Sequence, residues 1–161
     1  MESTIESIGR AVSWLSIVLV MWIGVDVVLR YVFDWSSSAN QEMEWHLFAT
    51  LFLLGSAYAL KHDKHVRVDV FYSQLNNRQQ ALVDLLGTLV LLLPFSMVIV
   101  ITSLPFALEA YQIGESSPEP GGLPYRFVVK SMIPISGVLL FAQGLALILK
   151  SWVVYFKSAK A

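Results

Sequence analysis

Asp26 and Arg30 stand four residues apart inside a long apolar run, and their types and spacing are suited to chemistry. On a helix they share a face. A charge at mid-bilayer costs about 2.5–3.5 kcal/mol on insertion scales, so an acid at that depth needs a partner or a purpose. Arg30 can neutralise Asp26 and snorkel toward the headgroups. Three readings follow: a self-satisfied pair against a neighbouring helix, a contact with a partner protein, and a carboxylate that carries a proton or substrate. The arginine already in place favours the first. Glu42, Glu44 and His46 flank Trp45. Glu42 and His46 share a face at i, i+4, but a metal centre needs a third ligand and none is evident, so no metal is expected. His46 lies at a span edge, and His62 and His65 lie in a polar stretch, so paired axial haem ligation is not expected. The chain has no cysteine, which excludes thiolate-bound zinc and disulfide exchange. There is no nucleophile–base–orienter set and no phosphate loop; neither an enzyme nor a cofactor is expected.

The elements that must position these residues are four apolar stretches, 12–33, 45–60, 82–104 and 127–156. At about 1.5 Å rise per residue, each is read as a helix crossing a hydrocarbon core of about 30 Å. Composition agrees: 56% of the residues are hydrophobic, 14% are charged and the mean hydropathy is +0.63. Soluble domains carry about 25% charge. A net charge of -1 over 161 residues argues against nucleic acid as a partner. The expected fold is all-α and integral to the membrane, one four-helix domain. The start, with Glu2 and Glu6 and a long apolar run, reads as a retained helix rather than a signal peptide.

Lysine and arginine set the expected orientation. Lys61, Lys64, Arg67 and Arg78 fill the second loop, Lys150, Lys157 and Lys160 the C-terminal end, and Arg10 the N-terminal tail. The loop 34–44 has none, and 109–125 has none. Both termini and the second loop are therefore expected in the cytoplasm. Trp14, Trp35, Trp45, Trp152 and Tyr155 sit near span ends, as interfacial anchors do.

Ser38-Ala39-Asn40-Gln41 predicts a capping box at the start of the second helix. Val68, Phe71, Tyr72 and Leu75 recur at i, i+3, i+4 and i+7 and predict a short interfacial amphipathic helix over 66–76. Asp84 is expected in the first turn of the third helix, complementing its dipole. Pro94 should bend that helix and Pro105 end or kink it. Residues 114–122 read as an ordered outer loop. Gly55 and Ala59 form a small-xxx-small pair; Gly137 and Gly144 share a face with Ser136 and Gln143 beside them. Such positions let helices approach closely in lipid.

Several runs together carry a family resemblance. They are Val28-Leu29-Arg30-Tyr31-Val32-Phe33, Glu42-Met43-Glu44-Trp45, Gly55-Ser56-Ala57-Tyr58-Ala59-Leu60 and His65-Val66-Arg67-Val68-Asp69-Val70. Gly114-Glu115-Ser116-Ser117, Gly122-Leu123-Pro124-Tyr125 and Lys130-Ser131-Met132-Ile133-Pro134 follow in order. The chain resembles the small membrane subunit, of DctQ type, of the tripartite ATP-independent periplasmic (TRAP) transporters. The resemblance implies a multi-pass, non-catalytic subunit of the bacterial inner membrane. Its implied partners are a large membrane subunit, a periplasmic substrate-binding protein and phospholipid. The implied process is sodium-coupled uptake of an organic acid. On that reading Arg30, Glu42, Trp45, Gly55, Ala59, Arg67 and Asp69 are expected to serve the large-subunit interface. Glu115, Arg126 and Lys130 would order the outer loop or meet the binding protein, and Lys61, Lys64 and Arg67 would meet lipid headgroups. The alternative is an independent proton-coupled exporter that works as a homo-oligomer through Asp26.

Overall fold

The computed structural model describes residues 2–62 and 72–157. Four helices account for nearly all of them: α1 (Glu2–Val32), α2 (Ser38–Lys61), α3 (Asn77–Gln112) and α4 (Phe127–Lys157). Three of these, α1, α3 and α4, are long and apolar enough to cross a membrane. The fourth, α2, is shorter, with 24 residues, about 36 Å of helix. Its first nine residues hold Glu42, Glu44 and His46, which keeps it below them in apolar character.

The helices do not close into a ring. α1 packs on α2, α2 on α4 and α4 on α3, which gives an open layer in the order α1–α2–α4–α3. The buried positions explain this. On α1 they are Ile5, Gly9, Val12, Leu19 and Asp26, one stripe in which all but Gly9 recur at seven-residue spacing. A single stripe faces a single neighbour. On α4 two stripes are buried, Val129–Ser136–Gln143 and Gly137–Gly144–Ser151, so α4 takes a neighbour on each side. Large apolar side chains on the outward faces of α1 and α3 stay exposed, among them Val20, Met21, Leu91 and Met97. Exposure on that scale is not stable in water and is ordinary against lipid or another membrane protein.

Small residues set the α3–α4 seam, as expected for Gly137 and Gly144. A Cβ added at Gly137 would lie 3.2 Å from the Ser96 carbonyl oxygen and 2.8 Å from Val100 Cγ2. The irregularity in α3 is also local in cause. Pro94 has no N–H to give the Val90 carbonyl, and its ring would press on that group. The chain responds with a π-helical turn over Thr88–Leu92. The swollen turn rests on Gly144, where a Cβ would meet Leu93 Cδ2 at 2.9 Å and Leu92 Cδ2 at 3.2 Å. Pro105 does not end α3, since the helix runs on through it to Gln112.

Two expected helix starts are corrected. The capping box at Ser38–Gln41 does not form. The helix opens one residue earlier, with Ser37 as N-cap and no side-chain cap bond. Gln41 is then one position too far along to reach back, and the Ser37 carbonyl accepts from the Asn40 and Gln41 amides at 3.1 and 3.3 Å. Asp84 is not in a first turn, because α3 begins at Asn77. The capping box lies there instead: Asn76 Oδ1 accepts from the Gln79 amide at 2.9 Å, and Gln79 Oε1 accepts from the Asn76 amide at 3.1 Å. Asn76→Ala should cost α3 about 1 kcal/mol. The check is hydrogen exchange over 77–81, which should quicken while the rest of α3 keeps its protection. Asp84 accepts from the Tyr72 hydroxyl at 2.8 Å. Of the expected interfacial helix, residues 66–71 lie outside the described residues, as do Lys64 and His65. Its last part is a turn, closed by the Leu75 amide on the Tyr72 carbonyl at 3.2 Å.

Candidate functional site

The loop 113–126 meets the start of α2 at one end of the layer, and Glu42 joins them. It stands near the start of α2 and is 8% exposed. The Ser117 hydroxyl donates to Glu42 Oε1, and the Leu123 amide donates to Glu42 Oε2 at 2.7 Å. These two bonds, the hydroxyl's first, hold the carboxyl below its usual value of 4.5, and the Arg126 charge adds to them. The loop that supplies the donors is folded on itself. The Ser117 amide donates to the Leu123 carbonyl and the Arg126 amide to the Glu115 carbonyl, both at 3.0 Å. Gly121 has φ +74°, which only glycine adopts cheaply. Gly122 lets the backbone come close, since a Cβ there would stand 2.9 Å from Glu42 Oε2.

The other expected outer residues share this end. Lys130 pairs with Glu115, which ties the start of α4 to the loop. Arg126 lays its guanidinium over Trp45, 5.6 Å from the ring centroid. His46 stacks on Trp45 with centroids 4.0 Å apart, and its Nδ1 bonds the Glu42 carbonyl oxygen. Glu42, Trp45, Glu115, Arg126 and Lys130 thus form one ordered platform. Ser117 and the Leu123 amide were missed from sequence. The available signal was an acid at the start of an apolar helix, which needs donors, and a glycine-rich loop able to deliver them.

Asp26 is 1% exposed and pairs with Arg30 on the same helix face. The pair is incomplete: Asp26 Oδ1 and Arg30 Nε are both buried without a hydrogen-bond partner. Asp26 also lines an apolar groove of about 460 Å³ formed by α1, Trp35 and Asn40. Gly55 faces open space, with nothing within 4 Å of an added Cβ, and Ala59 is half-buried.

The opposite end holds the termini of α1 and α4 and the second loop. Glu6 accepts from Lys61 Nζ at 2.6 Å, with Arg10 Nε and His62 Nε2 each at 3.1 Å, so the expected headgroup contact Lys61 is engaged within the chain. Arg78 donates to the Tyr155 hydroxyl at 3.2 Å and lies over that ring. Arg67 and Asp69 lie outside the described residues. Among the described residues no group of three or more His, Asp or Glu side chains is placed to hold a metal.

Residues 18–154 match the DctQ component of the tripartite ATP-independent periplasmic transporters. A protein of Haemophilus influenzae named as a TRAP transporter small permease protein is 28% identical over 144 residues, covering 87% of this chain and 89% of its own length. The match begins within α1 and ends within α4, so it takes in the whole platform, the Asp26–Arg30 pair, all of α2 and α3 and parts of α1 and α4. The chain belongs to the DctQ family and is the small permease subunit of a TRAP transporter, a multi-pass, non-catalytic membrane component that works with the other subunits of that system.

Proposed function

We propose that this subunit is the stationary brace of a sodium-coupled importer in the bacterial inner membrane. The cargo is an organic acid, brought by a periplasmic binding protein and moved by the large membrane subunit. Both termini and the second loop face the cytoplasm, in keeping with Arg10, Lys61, Arg78 and Lys150 at that end. All four helices cross the membrane, α2 shielded between α1 and α4.

The observation that carries this reading is the open layer α1–α2–α4–α3. A moving transport domain needs a frame that does not travel with it. A broad layer offers long helix faces to a partner and resists tilting, with Trp14 and Trp152 as interfacial anchors. Arg30, Trp45, Gly55 and Ala59 meet the large subunit. Gly55 leaves a notch on α2 where a second helix can come close. Glu42 acts at one remove, by fixing the loop through Ser117 and Leu123. Glu115, Arg126 and Lys130 keep that loop in the shape that meets the binding protein. Lys64 and Arg67 attract anionic headgroups, and Arg67 with Asp69 fixes the inner loop.

Reconstitution tests the proposal. The chain alone in vesicles should move no solute, and the full three-component system should take up the acid only with a sodium gradient. Replacing Arg67 or Asp69 should lower assembly while leaving substrate preference unchanged. Solute flux driven by the isolated chain, abolished by Asp26→Asn, would establish the exporter reading in its place.

A further inference from the structure

Ser151 differs from the other buried serines of α3 and α4. Ser96, Ser103 and Ser136 each donate to a carbonyl three or four residues back on their own helix. Ser151 is 4% exposed, yet its hydroxyl has no hydrogen-bond partner among the described residues. It lines a cleft of about 300 Å³ between the start of α3 and the end of α4. A hydroxyl left unpaired in such a place costs free energy that a ligand can recover.

The walls of the cleft are set in advance. The Gln80 side-chain amide donates to the Tyr72 and Leu75 carbonyls, both at 3.1 Å, and the Tyr72 hydroxyl donates to Asp84 at 2.8 Å. The cap of α3 takes the Asn76 and Gln79 amides and leaves those of Asn77 and Arg78 without a partner among the described residues. The positive end of a 36-residue helix therefore stands beside the cleft. Lys150 adds a full positive charge on the opposite wall. It is engaged within the chain, but an ammonium has three donors and can hold a second acceptor.

We propose that this cleft binds the phosphodiester of one phospholipid, with Ser151 and Lys150 donating to its oxygens. The site is separate from the brace reading and from the general attraction of Lys64 and Arg67 for headgroups. Charge selects the ligand. Donors and a helix N-terminus favour phosphate, while Asp84 in the same cleft repels a dianion, so a singly charged diester fits better than free phosphate or a monoester. Depth agrees. Asn77 to Asp84 is seven residues, about 10 Å of helix, against a headgroup layer about 5–8 Å thick. Trp152, 54% exposed, follows Ser151 directly and marks the interface. Leu147, one turn toward the membrane interior, meets the start of the acyl chains.

Native mass spectrometry of the full chain, purified in detergent, tests this. With phosphatidylglycerol added, the chain should retain one lipid. Diacylglycerol, which has the chains and no phosphate, should not be retained, and inorganic phosphate should not displace the lipid. Ser151→Ala breaks no hydrogen bond among the described residues, so the fold persists, while retained lipid falls about tenfold, the scale of one hydrogen bond to a charged group. Val154→Trp fills the cleft by a different route and should lower retention as far. Ser131→Ala, elsewhere on α4, should leave it unchanged. Unchanged retention in Ser151→Ala or in Val154→Trp, equal retention of diacylglycerol, or displacement of the lipid by inorganic phosphate overturns the proposal.

Discussion

Gly9→Ala lowers the melting temperature of the detergent-solubilised subunit by roughly 5 °C, and α1 separates from α2 before any other part of the layer melts. The cause is one crossing point. Tyr58 of α2 lays its ring directly over Gly9, and an added Cβ would stand 2.7 Å from Tyr58 Cβ and nearer still to the ring. These are not the far end of a flexible side chain, so the ring itself must leave. It then gives up its contact with His62, whose ring centroid is 4.4 Å away. Overpacking of this kind costs about 1–3 kcal/mol, and a chain of this size loses about 2–4 °C per kcal/mol. Few other contacts can compensate, because α1 buries a single stripe and meets α4 only slightly. The double variant Gly9→Ala with Tyr58→Ala should recover part of the loss, since the methyl then enters space the ring has vacated. A Gly9→Ala variant as stable as the parent would mean that the crossing is looser than the structure has it.

Much of this architecture is visible in the amino-acid order, and what is not has a common physical cause. Apolar length marks α4 almost to the residue: the stretch 127–156 becomes Phe127–Lys157. It fails at the start of α3, where the helix begins at Asn77 rather than 82. The opening turns Asn77–Ala81 are polar, and hydrophobicity cannot see a helix that leaves the membrane; the Asn76–Gln79 cap can. Proline position announces a disturbance at Pro94 but not its form, since a kink and a π turn both relieve a missing N–H. Spacing alone pairs Asp26 with Arg30, as the structure does. Helix order is different. Whether four helices close into a bundle or spread into a layer depends on which stripes are buried, and nearly uniform apolar helices conceal their stripes. Only the small residues of α4, Gly137 and Gly144, point to a buried face beforehand. Glu42 illustrates the limit at the start of α2. Its place beside Trp45 suggests an exposed contact, yet its partners lie 75 and 81 residues away, in a loop with no periodicity to read.

Removing that carboxylate has the second large effect. In Glu42→Ala the loop from 113 to 126 loses its tie to α2, the Leu123 amide exchanges about tenfold faster or more, and protease cuts appear within the loop. Ser117 and Leu123 donate to the same carboxylate, so both lose their partner at once. Glu42→Gln is expected to keep part of the tie, because its amide oxygen can still accept from the Leu123 amide while its NH2 donates to the Ser117 hydroxyl oxygen. Glu119→Gln, on the exposed part of the same loop, leaves exchange at Leu123 unchanged. The effect also has a definite pH course. The folded loop holds the Glu42 carboxyl below the usual 4.5, so ionisation stabilises the fold. That stabilisation is complete above 4.5 and drains away as the pH falls through the lower value Glu42 has in place. Leu123 should therefore stay protected at pH 5 and open in stronger acid, and in Glu42→Ala this step should vanish because exchange is fast throughout. Uptake assays place the effect in the transporter. If the platform seats the binding protein, the variant keeps its large subunit yet needs more binding protein to reach half-maximal uptake. If assembly with the large subunit collapses instead, the loop is part of that joint, and the outer end of α2 belongs to the brace rather than to the docking surface.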